Sequence, residues 1–303
     1  MRYRKLSEYL KEKYGERVQR IVIFGGFSCP NRDGTKGKGG CIYCDATGSG
    51  FTTLMKLPIR EQVVRLKEKY EKRGIKKFIA YFQAFSNTYA PVEELRKKYE
   101  EALIDESIVQ LSVSTRPDLV SESVLDLLEE FKERVDVSIE LGLQTANYKT
   151  LEKINRGHTL AEFIDAAVRV KRRRIELIVH VILNLPWDDM IDVIETAKIL
   201  SALDVDGVKI HSLYVVEGTK LAEMYKRGEI KICSLEEYVN RVIVFLEHLS
   251  PNVVIHRLVA DPPREGTIFG NWGKSKIEII NTIEREMERR NSYQGKKFVY
   301  LNR

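Results

Sequence analysis

Six short runs rich in β-branched and aromatic residues alternate with longer, charged stretches of helical periodicity, and this alternation restricts the possible folds more than any other feature. The runs are Val18–Ile23, Lys77–Phe82, Ile108–Ser114, Val135–Leu141, Ile175–Leu183 and Val208–His211. Helical patterns lie near Ile59–Arg73, Pro91–Leu103, Ser121–Lys132, Leu160–Arg173 and Met190–Leu203. Strands that alternate with helices build βαβ units and a mostly parallel sheet. Six such units predict an α/β fold with a closed or partly closed barrel. Helix starts are signed by a hydroxyl with a Glu three residues on, at Thr159/Glu162 and Ser234/Glu237. Pro91 suits a first helical position, with Glu93 and Glu94 at the positive end of the helix dipole.

After about Tyr214 the pattern changes. Helices are predicted near Thr219–Arg227, Leu235–Leu249 and Lys274–Arg290, with a strand at Val253–Leu258. The expected organisation is an N-terminal helix over 1–17, a core barrel over 18–215, and a C-terminal α/β extension over 216–303 that covers the barrel mouth. With 303 residues and 43% hydrophobic content, the chain can bury a full core without disulfides. No apolar run reaches the ~18–20 residues that span a bilayer, and the charged N-terminus is not a signal peptide. A cytoplasmic protein with no membrane partner is expected. Net charge is +6, a mild bias toward polyanions such as RNA that a highly charged surface would equally produce.

The most informative loop is Phe24–Pro58, between the first strand and the first helix, which holds eight of the nineteen glycines. In a parallel barrel the loops at the C-terminal ends of strands carry function. Cys29, Cys41 and Cys44 stand there at spacing C-x11-C-x2-C. Clustered cysteines without a secretion signal point to metal or redox chemistry. Thiolate sulfur suits zinc or an iron–sulfur cluster. A structural zinc site has four protein ligands, and His158, His180 or His211 could supply the fourth. A 4Fe–4S cluster held by three cysteines instead leaves one iron open, which the amino and carboxylate groups of S-adenosylmethionine can chelate. Both readings fit the spacing. Cys233 stands alone, beside the capping Ser234, where it would staple against Tyr238.

CPNRDGTKGKGGCIYC resembles the cluster loop of the radical S-adenosylmethionine family of YhcC type, which is related to the catalytic subunit of the Elongator tRNA-modifying complex. Further matching stretches are YFQAFSNTYAP at 81–91, STRPD at 114–118, ELGLQT at 140–145, INRGHT at 154–159, VKIHSLYVVEGTKL at 208–221 and IHRLVADPPRE at 255–265. The resemblance implies a partial (β/α)6 TIM-like radical-SAM barrel. It implies cluster binding by Cys29, Cys41 and Cys44, with the Tyr43 backbone facing the adenine. It implies S-adenosylmethionine contacts at Gln83, Asn87, Gln144, Arg156 and His180. Arg116 either faces the cavity or braces Asp118. One stretch departs from the family: NLPWDD places Asn184 and Trp187 where glycines are common, and Trp cannot replace Gly on steric grounds.

The relatives imply a tRNA substrate, with chemistry at C5 of the wobble uridine, and an external electron donor of flavodoxin or ferredoxin type. An acetyl-CoA-dependent reaction is not expected, because 303 residues hold only the barrel and a short tail. Candidate substrate contacts are His211, Tyr214, His256, Arg257 and Arg264. Basic stretches at Lys56–Lys77, Lys171–Arg174 and the C-terminal end fit an RNA partner or an ordinary solvated surface. Two other functions compete: a radical enzyme acting on a small molecule such as a tetrapyrrole, and a zinc-stabilised RNA-binding protein without catalysis.

Overall fold

Every predicted strand forms, in a computed structural model that describes residues 2–48, 54 and 56–301. The strands are β1 (Val18–Ile23), β2 (Lys77–Phe82), β3 (Ile108–Thr115), β4 (Asp136–Gln144), β5 (Glu176–Ile182) and β6 (Gly207–His211). Two residues form β7 (Val215–Val216), and β8 (Val254–Arg257) and β9 (Thr267–Phe269) follow. One parallel sheet runs in the order β1-β2-β3-β4-β5-β6-β8. The C-terminal extension therefore contributes a seventh strand to the partial barrel, and β7 and β9 form a separate antiparallel pair.

The helices are α1 (Leu6–Tyr14), α2 (Ile59–Glu71), α3 (Val92–Ala102), α4 (Glu122–Lys132), α5 (Tyr148–Lys153), α6 (Leu160–Arg172), α7 (Met190–Ala202), α8 (Lys220–Lys226), α9 (Leu235–His248) and α10 (Lys276–Arg289). Side chains alternate across a strand, and the two faces of the sheet differ sharply. Val137, Ile139, Leu141 and Leu143 of β4, Leu177, Val179 and Val181 of β5, and Val208 and Ile210 of β6 enter the main apolar core with the helices. The alternate positions carry Ser138 and Glu140, His180, Lys209 and His211. A parallel strand is usually apolar on both faces, so this polar inner lining marks where the barrel does something other than pack.

The edge strands β1 and β8 are not paired with each other. The chain entering α1 closes on β8: Ile255 N donates to Arg4 O at 2.8 Å, and Lys5 bridges Ile255. The C-terminal tail is stitched down too, with Gln294 Nε2 donating to Ser250 O and Val253 O at 2.7 and 2.8 Å.

Three local expectations need adjustment. Pro91 is the N-cap and Val92 opens α3. The Thr159/Glu162 capping box is complete, but at Ser234 only the Glu237 N–H is captured, because the Glu237 carboxylate turns to Arg241 at 2.7 Å. At NLPWDD neither Asn184 nor Trp187 has positive φ. That backbone needs no glycine; Asn184 Oδ1 accepts from Leu213 N at 2.7 Å, and Trp187 packs in a satellite apolar cluster. Among the described residues no helix is long and apolar enough to cross a membrane.

Candidate active site

The loop after β1 carries the three cysteines and is held by the segment that follows β4. Ile42 N donates to Ile154 O at 3.1 Å, Asn31 Nδ2 to Asn155 O at 2.6 Å, and Asn155 Nδ2 to Gly40 O at 2.8 Å. The extension grips the same loop, through Leu221 N to Ile42 O at 2.8 Å. Gly40, at φ 78°, supplies a left-handed turn and lets the Arg32 stem pass where a Cβ would sit 2.8 Å away. Residues 49–53 and 55 of this loop lie outside the described set.

Cys29, Cys41 and Cys44 are free thiols, and all three line one cavity of about 190 Å³ inside the barrel mouth. Two guanidinium groups serve the sulfurs. Arg32 Nη1 donates to Cys44 Sγ at 3.4 Å, and Arg156 Nη1 donates to Cys41 Sγ at 3.4 Å. Burial and the neighbouring Cys41 push the Cys44 thiol up to about 12, against the pull of Arg32; a coordinated cation reverses that preference. Among the described residues no three thiol, imidazole or carboxylate groups stand together as a ready-made metal cage. The candidate zinc ligands are otherwise engaged. His158 bonds Gly142 O and Thr159 O, His180 bonds Glu140, and His211 takes Arg257. The donor chemistry fits an iron–sulfur cluster: free thiols on one cavity wall, cations against two of them, and no imidazole turned to complete a tetrahedron.

Gln83, Gln144, Arg156, His180, Arg116 and Tyr43 line the same cavity. Gln144 sits beyond a register shift in β4 with φ 81°, a conformation costing a non-glycine residue roughly 1–3 kcal/mol. Arg156 is buried, and its Nε and Nη2 donate to Gly142 O at 3.1 and 2.7 Å. A Cβ at Gly142 would meet Arg156 Nη2 at 2.5 Å, so a side chain there would push the guanidinium aside. Arg116 does both things expected of it. It grips Asp118 at 2.9 and 3.1 Å, lines the cavity, and donates to Arg156 O at 2.8 Å.

Three expected contacts lie elsewhere. Asn87 is fully buried behind the wall, its Nδ2 donating to Ser114 O at 2.8 Å, so it braces β3. His256 falls at the register shift between β6 and β8 and turns to Arg20 across the barrel edge, at 2.7 Å. Arg264 is exposed on the loop before β9. His211, Tyr214 and Arg257 do line the cavity. Of the basic stretches, Lys171–Arg174 is partly neutralised: Lys171 pairs with Asp206, and Arg173 with Glu122 and Asp126, each at 2.8 Å.

Residues that motif reading passed over complete the inner lining. Glu140, fully buried, accepts from Lys209 Nζ at 3.0 Å, pairs with Arg20 at 3.2 Å and bonds His180 Nε2 at 2.6 Å. Lys209 Nζ also donates to Tyr81 Oη at 2.7 Å. Burial pushes Lys209 down to about 7 and His180 down to about 4, while Lys209 and Arg20 hold Glu140 well below the usual carboxylate range in spite of its burial. A charged residue inside an otherwise apolar strand was the available signal for Glu140 and Lys209.

Comparison with known proteins matches residues 29–200 to the Radical SAM superfamily and residues 205–289 to the Radical_SAM C-terminal domain. The YtqA protein of Bacillus subtilis is 40% identical over 302 residues, covering 99% of this chain and 94% of that one. The YhcC protein of Escherichia coli K12 is 36% identical, covering 91% and 89%. A tRNA uridine(34) acetyltransferase of Methanocaldococcus jannaschii is 32% identical over 62% of this chain, but only 35% of its own length is spanned. The solved structure of Elp3 from Methanocaldococcus infernus superposes with TM-score 0.71 at 20% identity, over 91% of this chain and 64% of that one, and shares the fold. The chain thus belongs to the Radical SAM superfamily, a radical enzyme with an Elongator-like relative and with a 4Fe–4S cluster and S-adenosylmethionine as its cofactors.

Proposed function

We propose that this chain modifies a base in tRNA, at C5 of the wobble uridine, by radical chemistry started in the cysteine-lined cavity. The observation that carries the catalytic half is the convergence of Cys29, Cys41 and Cys44 with Gln83, Gln144, Arg156 and His180 on one cavity at the C-terminal ends of the strands. Cys29, Cys41 and Cys44 would hold the cluster. When bound, the cluster supplies the electron that cleaves S-adenosylmethionine and releases a 5′-deoxyadenosyl radical. Arg32 and Arg156 balance thiolate charge, each at 3.4 Å from a sulfur. The buried wall formed by Tyr81, Ser114 and Ile182 excludes water from reactive species. His180, neutral at pH 7, offers a hydrogen bond without charge. The tRNA half is supported by the uridine-modifying relative, whose similarity covers 62% of this chain. An electron donor of flavodoxin or ferredoxin type completes the system.

Two experiments test the two halves. Protein reconstituted anaerobically with iron and sulfide is expected to turn brown and to cleave S-adenosylmethionine only when reduced. A colourless protein without cleavage defeats the catalytic assignment. Nucleosides of tRNA from a deletion strain, compared by mass spectrometry, are expected to show a lost or truncated wobble-uridine modification. An unchanged profile removes the tRNA reading and leaves a small-molecule substrate.

A further inference from the structure

The inner end of the cavity has a charge imbalance. Two cationic side chains, Arg20 and Lys209, flank one carboxylate, Glu140, and a third, Arg257, bears on Lys209. Arg20 and Lys209 share Glu140 between them, at 3.2 and 3.0 Å. Arg257 is left over. No carboxylate lies within ion-pair distance of it among the described residues. Its Nη2 contacts the His211 ring, with Nε2 at 2.8 Å, and its Nε is buried without a partner. Asp261, which also bears on Arg257, is tied to Lys276 at 2.7 Å. His211 does not compensate the charge; burial and Arg257 itself keep the imidazole neutral.

A half-buried guanidinium whose Nε is out of water and which has no counter-ion is costly to the folded chain, and an anion that pairs with it relieves the cost. Its planar fork matches the two oxygens of a carboxylate or a phosphate. Arg257 lines the cavity, so the anion has a route to it.

We infer that Arg257, supported by His211 and Lys209, is a subsite for an anionic oxygen group, carboxylate or phosphate, carried by the substrate next to its reacting atom. The cofactor is not the source. The guanidiniums that touch the cysteine sulfurs are Arg32 and Arg156, whereas Arg257 stands at the end of β8 and contacts His211 of β6. The subsite deepens the tRNA reading and rests on it only for the identity of the substrate: a phosphate would come from the nucleotide backbone, a carboxylate from a substituent on the base.

The test uses the reconstituted holoenzyme with saturating S-adenosylmethionine, in inorganic phosphate, acetate or chloride at equal ionic strength. The thermal midpoint is expected to rise in phosphate or acetate over chloride, and the more effective anion identifies the source. Arg257→Gln is expected to raise the midpoint in chloride, because it removes an uncompensated charge, and to abolish the anion response. A merely structural arginine would lower the midpoint and leave the response intact, which overturns the proposal. So does a response that vanishes once S-adenosylmethionine is saturating, since the site is then the cofactor's. A second measurement needs no variant. Phenylglyoxal modification of Arg257, mapped by peptide mass spectrometry, is expected to slow about tenfold when the effective anion is at about ten times its dissociation constant. Equal modification with and without anion, or none in either, overturns the subsite. Because these probes contain no nucleoside, the subsite can fail while the deletion-strain tRNA profile changes, or stand while it does not.

Discussion

The Arg156 guanidinium stands 3.4 Å from the Cys41 sulfur and holds the Gly142 carbonyl with its other two nitrogens, at 3.1 and 2.7 Å. A residue after β4 thereby sets the electrostatics of a residue in the loop after β1. Hydrogen bonds and positive charge at a ligating sulfur raise the potential of an iron–sulfur cluster. Arg156→Gln is expected to move the reduction potential of the reconstituted cluster downward, read by a redox titration of its paramagnetic signal. Gly142→Ala, whose methyl would fall 2.5 Å from Arg156 Nη2, is expected to do the same without touching a charged residue. Unchanged potentials in both variants would separate Arg156 from the cluster.

Replacing Cys29, Cys41 or Cys44 one at a time by Ala is expected to drop bound iron from about four atoms per chain to below one, since an iron–sulfur cluster depends on its thiolates. The α/β circular dichroism should persist, because the barrel core lies under the strands and does not include Cys29 or Cys44. Cys233→Ala is the control. It lies beside the α9 cap and packs on the core, so its iron content should match the parent. Full iron retention in any of the three loop variants would remove that residue from the ligand set.

Glu140 carries Lys209 and Arg20 in the barrel interior. Glu140→Gln leaves two buried cations without a carboxylate and is expected to cost about 3–5 kcal/mol of stability. Lys209→Met strands the carboxylate in part, with Arg20 still attached. Their combination should cost less than the sum of the two, because the members act as a unit. Urea denaturation of the three variants decides this, and strict additivity would show that the two side chains do not interact.

Asp188 is buried at the end of the loop before α7, and burial raises its carboxyl to about 6 from the usual carboxylate value. The folded chain therefore holds a proton that the unfolded chain releases near pH 4. This contribution is fully present below pH 4 and is lost as pH rises through about 6. Asp188→Asn, neutral at every pH, is expected to match the parent at pH 4 and to exceed it by about 1–3 kcal/mol at pH 8. Denaturant midpoints at the two pH values measure it. An equal effect at both would mean that the carboxyl titrates normally.

The strands of the parallel sheet were legible because each has its own apolar period, and β-branched runs between amphipathic helices allow few arrangements. The cysteine loop was legible for a chemical reason: three thiols in a glycine-rich turn have few other uses. Boundaries were less so. β4 runs on to Gln144, three residues past the expected Leu141, because a register shift against β5 lets it continue with a left-handed residue. The family resemblance implies a cofactor contact at Asn87, whereas the turn after β2 aims its amide at the β3 backbone. His256 and Arg257 are neighbours in sequence. Only the register of β8 against β6 sends one to Arg20 of β1 and the other to His211 in the cavity.

Local periodicity and side-chain chemistry alone determined the parallel barrel, the loop that bears the chemistry and the thiols it presents, because those properties reside in residues close together along the chain. Which arginine meets which sulfur, which carboxylate neutralises Lys209 and which guanidinium is left without a counter-ion were decided by the tertiary structure. Arg156 and Cys41 are 115 positions apart, and Lys209 and Glu140 are 69 apart. Closing the sheet is what brings such pairs within hydrogen-bond distance, and burial is what gives their charges consequence.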